Sequence, residues 1–329
     1  MRLKLSRRQS FRRIMKVIKT QYLSILSLAV IGVLYGVTPA SATPLLGSDL
    51  ASFTVLGAST VTNVPTSTIV GNVGVWSSGG ANAVTGFLSS PGVGTSDPQV
   101  TGGLVHAGTA VAQSAQAQLT TAITNLSSLG AGTLLTADLA GLVLAPGVYT
   151  VLAGTTNLSG ALTLDGQGNA NAAWVFQMPS TLITSPNSVV NVVNTGSGAG
   201  VYWNVGSSAT IDVNTTFLGN ILALTDITLN STATDFCGRA LANTGAVTLD
   251  QNNLSGGCLN MLAGSSGLSG GLDVISRGGN TQVNFLPSAP IGGGGATPPG
   301  NDGAIPEPAT LALLGLGLAG LGFSRRRNA

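Results

Sequence analysis

A four-residue pattern, apolar, Thr, apolar, Asp or Asn, occurs at Leu162-Thr163-Leu164-Asp165, Ile227-Thr228-Leu229-Asn230 and Val247-Thr248-Leu249-Asp250, with a variant at Ala209-Thr210-Ile211-Asp212. From Thr210 to Thr228 and on to Thr248 the chain advances in nearly equal steps. Successive residues of a strand point to opposite faces, so the apolar members turn inward and the Thr, Asp and Asn members turn outward. A period near twenty residues matches one coil of a three-sided solenoid built from strands of about five residues with tight corners. The pattern therefore predicts threonines stacked outside at a repeat of about 4.8 Å. Cys237 and Cys258, about one such step apart, fall on neighbouring coils in that register, and in an exported chain they are expected to form a disulfide.

Export is read from the two ends. Met1 to Gln21 carries eight Lys or Arg, Tyr22 to Val37 is apolar, and Ala40 and Ala42 stand at A-x-A spacing, the layout of a secretory signal peptide (residues 1–42) cut after Ala42. Residues 305–329 carry Pro306, Glu307 and Pro308, then a Gly- and Leu-rich segment, then Arg325 to Arg327. This tail resembles the PEP-CTERM sorting signal. The resemblance implies processing by an exosortase-type enzyme of a Gram-negative bacterium and transient inner-membrane attachment, leaving the protein secreted or associated with the cell surface. Residues 289–304, rich in Gly and Pro, read as a linker.

Between these ends, residues 43–288 read as one mainly β domain. Short β-type runs punctuated by Gly, Asn and Ser dominate it. The exception is Leu104 to Leu129, where Leu104, Val111, Ala115, Leu119, Ile123 and Leu126 recur at helical spacing, predicting one long amphipathic helix that Gly130 and Gly132 stop. "LDGQGN" (Leu164 to Asn169) reads as a turn.

Charge and residue inventory exclude several functions. Eleven of the thirteen basic residues lie in the two end segments. Between Thr43 and Ala304 only Arg239 and Arg277 stand against ten Asp, a balance of −8. A nucleic-acid partner needs a basic footprint, which this body lacks. His106, the single histidine, has no Cys or Glu cluster at metal spacing, so neither a metal site nor a Ser-His-Asp triad is expected. Asp165, Asp212 and Asp250 could share an outward file, but the replacement of Asp by Asn230 in one coil fits a polar row better than an acid and base pair. The chain is expected to be no enzyme and to need no cofactor.

The segments "TFLGNILALTDITLNSTATDFCGRALANTGAVTLDQNNLSGGC", "SDLASFTVLGASTVTNVPTSTIVGNVGVW", "HAGTAVAQSAQAQLTTAITNL" and "LAPGVYTVLAGTTNLSGALTLDGQGNANAAWVFQM" together resemble the DUF3494 ice-binding family. The resemblance implies a right-handed, discontinuous β-solenoid, a triangular β-helix with the long helix packed alongside, and binding to ice and its ordered water through one flat face. The wording around Cys237 departs from the family's usual polar residues. Threonine suits such a face, because β-branching stiffens χ1 and the side chain joins a methyl to a hydroxyl. The first expected face is Thr210, Thr228 and Thr248 with Asp212, Asn230 and Asp250, adding Thr163; the second is Thr232 and Thr234. The rival reading is a matrix or adhesin-type protein binding exopolysaccharide, suggested by the sorting tail.

Overall fold

The computed structural model describes residues 41–77, 83–258, 262–277 and 280–291. The signal-peptide residues before 41 and the sorting motif at Pro306 to Pro308 lie outside them.

Short parallel strands wind into coils of three sides. The sides are called here the first, second and third face in the order the chain meets them. The first face contains, in spatial order, Thr133–Leu135, Gly147–Val151, Ala173–Met178, Gly200–Val205, the ends of Thr216–Ala223 and Thr234–Ala242, then Phe53–Gly57, Asn72–Val75 and Val105–Ala107. The second is a separate six-stranded sheet ordered Leu182–Ile183, Ala209–Ile211, Ile227–Leu229, Val247–Asp250, Thr60–Val64, Ala83–Thr85. The third runs from Val143–Leu144 through Ala161–Asn169 and Val189–Thr195 to Asn253–Ser255, Thr68–Val70 and Val100–Thr101. Thr216–Ala223 and Thr234–Ala242 bend around the corner from third to first face and join those two faces in one sheet.

The stack is not built in chain order. The N-terminal coils sit on the end of the C-terminal run: Val247 pairs with Val61, Asn253 with Thr68, and Ala240 with Val55. This confirms a discontinuous solenoid. Helix α1 (Ser48–Ser52) and helix α2 (Ala110–Ser127) lie outside the coils. At 1.5 Å per residue α2 is about 27 Å long, and it carries the chain from the Val105–Ala107 end of the stack back towards the Thr133–Leu135 end.

The interior is apolar because alternate residues of every strand turn into it. Tyr149, Phe176 and Trp203 occupy one register position on successive coils, and their ring centroids are 5.8 and 4.1 Å apart. Under the second face the rows Ala209, Ile227, Val247, Val61 and Ile211, Leu229, Leu249 are fully buried. On the first face many outward side chains are apolar as well, with Gln177 and Asn204 as polar exceptions that hydrogen-bond the end of α2. Val175, Tyr202, Leu222, Leu241 and Leu56 pack against Ala112, Ala115, Leu119, Ala122 and Leu126 of α2. Three of those five helix residues are alanine, which lets the helix approach the sheet closely.

The helix starts later than its spacing suggests. Val105–Ala107 is a strand, Gly108 turns the chain at φ 67°, and Thr109 caps α2 by accepting a hydrogen bond from Ala112 N at 3.2 Å. Leu104 and Val111, assigned to the apolar stripe, are exposed, Val111 at 41%. Their place is taken by Ala112, Gln116 and Ala122. A three-stranded antiparallel sheet of Ser41–Pro44, Leu272–Arg277 and Asn280–Phe285 completes the first face. Its first strand spans the expected cut after Ala42, and Thr43 and Pro44 pair with Val274 and Asp273.

Candidate functional site

The six-stranded second face holds five threonines in one file. Thr210, Thr228, Thr248, Thr62 and Thr85 pair in direct register on successive strands. At about 4.8 Å per strand the file is about 19 Å long. The residues flanking Thr210, Thr228 and Thr248 in their strands are buried, so each of these threonines stands on a fixed interior. Ile183 continues the row at one end. Every described element outside the coils (α1, α2 and the antiparallel sheet) packs on the first face, and the threonine file is left uncovered.

The sequence pattern reaches three of these five positions. Thr62 and Thr85 escape it because they belong to N-terminal coils, far from Thr248 in the chain, and because Asn63 replaces an apolar residue in "VTN". Asn63 is buried, and its amide is satisfied by Ser67 Oγ, which donates to Asn63 Oδ1 at 2.6 Å, and by Gln99 Oε1 at 3.0 Å. The legible signal was "TVTNV" itself, alternating with Thr outward.

Thr163 does not join the file. It lies on the third face, paired with Val143 and Asn191. The reason is coil length: the coil that takes Leu182 to its partner Ala209 is longer than the coils that take Ala209 to Ile227 and Ile227 to Val247. A fixed period therefore lands on the wrong side in the earlier coils. Asp165 follows Thr163 onto the third face, so it shares no file with Asp212 and Asp250. Its carboxylate accepts from Gln167 N at 2.9 Å and Asn194 Nδ2 at 3.0 Å, and these bonds hold it below the usual aspartate range. Gln167 and Gly168 turn the "LDGQGN" corner at positive φ.

Asp212, Asn230 and Asp250 do lie beside the threonines, at the edge where the second face turns into the third. Each is hydrogen-bonded to a neighbouring coil. Asn230 Nδ2 donates to Asp212 Oδ1 at 2.9 Å, Asp212 also accepts from Val213 N at 2.8 Å, and Ser231 donates to Asp250. At the same corner Asn187, Asn214, Thr232 and Gln251 each take a left-handed φ between 53° and 62°, one per coil. Asn214 Nδ2 donates to Asn187 Oδ1 at 3.5 Å and Thr232 donates to Asn214. Thr232 is thus a corner residue. Thr234, grouped with it in the sequence, lies on the third face in a row with Val189, Thr216, Asn253 and Thr68. The second expected face divides between a corner and a strand.

The disulfide between Cys237 and Cys258 is present. Cys237 sits inside the corner between third and first faces, away from the threonine file, so its departure from the family wording leaves that file untouched. Beside it Arg239 is buried and pins four segments: it donates to Ala51 O (2.8 Å), Asn220 Oδ1 (2.8 Å), Gly256 O (2.9 Å) and Ser266 O (3.1 Å). Burial lowers its guanidinium pKa to about 10. Asp235, also buried, is pushed well above the usual carboxylate range by loss of water, against the opposing pull of Cys237 N and Arg239. His106 lies in a strand with Thr109 Oγ1 at 3.2 Å from its Nδ1. Among the described residues no group of His, Cys, Asp or Glu has the arrangement of a metal site.

Residues 55–255 match the ice-binding-like family, and residues 304–327 match the PEP-CTERM protein-sorting motif. The chain is 36% identical over 313 residues to an ice-binding protein of Nostoc sp. (strain HG1), covering 94% of this chain and 97% of the relative. It is 32% identical over 237 residues to an ice-binding protein of Flammulina populicola, covering 68% and 93%. The crystal structure of an ice-binding protein from an Antarctic biological consortium superposes with a TM-score of 0.54 at 33% identity, covering 66% of this chain and 93% of the other. The DUF3494 domain of Shewanella frigidimarina ice-binding protein 1 superposes at 0.55 with 26% identity, covering 65% and 97%. With its coils, its accessory helix and the greater part of its length matched, the chain belongs to the ice-binding-like family.

Proposed function

We propose that this exported protein adsorbs to ice through the second face, with Thr62, Thr85, Thr210, Thr228 and Thr248 as its centre. The observation that carries the reading is the file itself, five in-register threonines on an uncovered parallel sheet. A single hydroxyl or methyl holds water weakly, so adsorption to a lattice needs many contacts at fixed spacing. A parallel sheet over a close-packed interior supplies that spacing, and β-branching limits each side chain to few rotamers. The carboxylates at the edge each accept a hydrogen bond from a neighbouring coil, which fixes them beside the file.

The third face is the competing surface, because Thr216, Thr234, Asn253 and Thr68 also share a row. It is less uniform, with Val189 and Ala161 continuing the row. Exopolysaccharide binding has less support: sugar recognition uses aromatic platforms, and while Trp174, Trp203, Tyr202, Phe176 and Phe217 are buried, the exposed Phe285 lies on the antiparallel sheet and no aromatic residue stands in the strands of the second face. Replacing Thr228 by Tyr should cut the fraction of protein captured by slowly growing ice severalfold, with the melting temperature within about 2 °C of wild type. Thr234→Tyr should leave capture unchanged. The reverse outcome moves the site to the third face.

A further inference from the structure

Both ends of the described chain lie on the side of the triangular section away from the threonines. At the N-terminal end, Ser41–Pro44 pairs with Leu272–Arg277 in the sheet on the first face, and Leu45 and Leu46 are buried with α2. At the C-terminal end the chain runs along the corner between third and first faces. Gly200 bridges to Ser269, Leu286 N donates to Gly271 O at 2.9 Å, and Asn171 Nδ2 donates to Pro287 O at 2.9 Å. Ala170 N then donates to Ala289 O at 2.6 Å and Ile291 N to Gly168 O at 3.3 Å. Three residues of the expected linker, Ala289 to Ile291, are therefore packed on the solenoid. The chain leaves the domain at the corner opposite the second face.

We propose that the protein works while held at the cell surface through the chain that follows Ile291, with the threonine face turned outward, so that it attaches the producing cell to ice. The proposal rests on the reading that this face adsorbs to ice. Its own support is the exit corner together with the sorting motif. Residues 292 to 303, twelve in all, separate Ile291 from the matched motif, and a chain of that length reaches at most about 40 Å. One face, at about five residues of 3.3 Å each, is about 17 Å wide. The domain would thus stand within two or three of its own widths from the point of attachment. An exit on the second face would lay the following chain across the threonines; the observed exit leaves that face free of it. Many copies on one cell would add their weak contacts, since the second and later attachments are intramolecular.

The test uses the full chain in Gram-negative cells that carry an exosortase-type enzyme, with surface protein measured by antibody on intact cells and the cells then offered to slowly growing ice. Cells displaying the wild-type chain should enter the ice severalfold more than cells displaying equal amounts of Thr228→Tyr. Purified full-length chain is assayed alongside. If it adsorbs to ice while the displaying cells stay in the liquid, or while the protein is found only in the medium, the attachment proposal is overturned and the ice-binding reading stands. If the purified chain also stays in the liquid, both fall.

Discussion

Threonine and aspartate alternate along the second face, yet the structure gives them different work. Thr228 points from a strand whose neighbours Ile227 and Leu229 are buried, and nothing in its surroundings demands a hydroxyl there. Asp212, Asn230 and Asp250 sit two positions after the threonines of their own coils and are hydrogen-bonded within the protein. Nearby members of one motif thus divide between a surface role and the stitching of coils. Asp235 presents a different case, since its carboxyl is buried and its pKa is raised by loss of water. A raised folded pKa means that the folded state keeps a proton that the unfolded chain has released. The resulting stabilisation is complete below the unfolded pKa and is lost as pH rises towards the folded value. The contribution of Asp235 to the unfolding free energy should therefore decline as pH rises above about 4, where an unfolded aspartate titrates. In Asp235→Asn that slope should flatten. Denaturant titrations of the two proteins across this range check it, and an unchanged slope in the variant would assign the pH dependence to other groups.

At the level of elements, local signals are legible wherever they act within one strand or helix. The inward and outward alternation of Ile227 to Asn230 and of Val247 to Asp250 can be read because it needs only the two-residue pleat. The helix is legible in its Gly-free middle but not at its start, where Val105–Ala107 pairs with Asn72–Val75, a partner that no helical spacing reveals. Thr163 falls off the predicted face because the coils shorten along the chain, a property of the corner loops and not of the strands. The disulfide, in contrast, is accessible from spacing and export together. It ties Thr234–Ala242 to the segment that leaves the last coil, closing a sequence separation of 21. Loop-closure entropy for that length amounts to about 3 kcal/mol. Replacing Cys237 and Cys258 together by Ala should lower the melting temperature by roughly 10 °C in calorimetry. Ice capture below the transition should be unaffected, because the bond lies at the corner opposite the threonine file.

At the scale of the whole molecule, the decisive feature is the discontinuity of the stack. The C-terminal run alone supplies Thr210, Thr228 and Thr248; the N-terminal coils, seated on its end, add Thr62 and Thr85 and lengthen the file from three members to five. α2 returns the chain to the far end, and with the antiparallel sheet it covers the first face, so that the second face, with the regular hydroxyl spacing, is left free together with the third. Pairing between residues 60–64 and 247–250 cannot be read from a repeat, since the two strands are neighbours in space and lie near opposite ends of the domain in sequence. Thr62, which sequence periodicity never selects, is therefore where a single face built from both halves of the solenoid is most exposed to test. The most direct measurement is ice capture by Thr62→Tyr, with circular dichroism to establish that the fold is intact. The expected result is a loss of capture comparable to that of Thr228→Tyr. A folded Thr62→Tyr protein that partitions into ice as wild type does would contradict a single face shared by both halves of the solenoid.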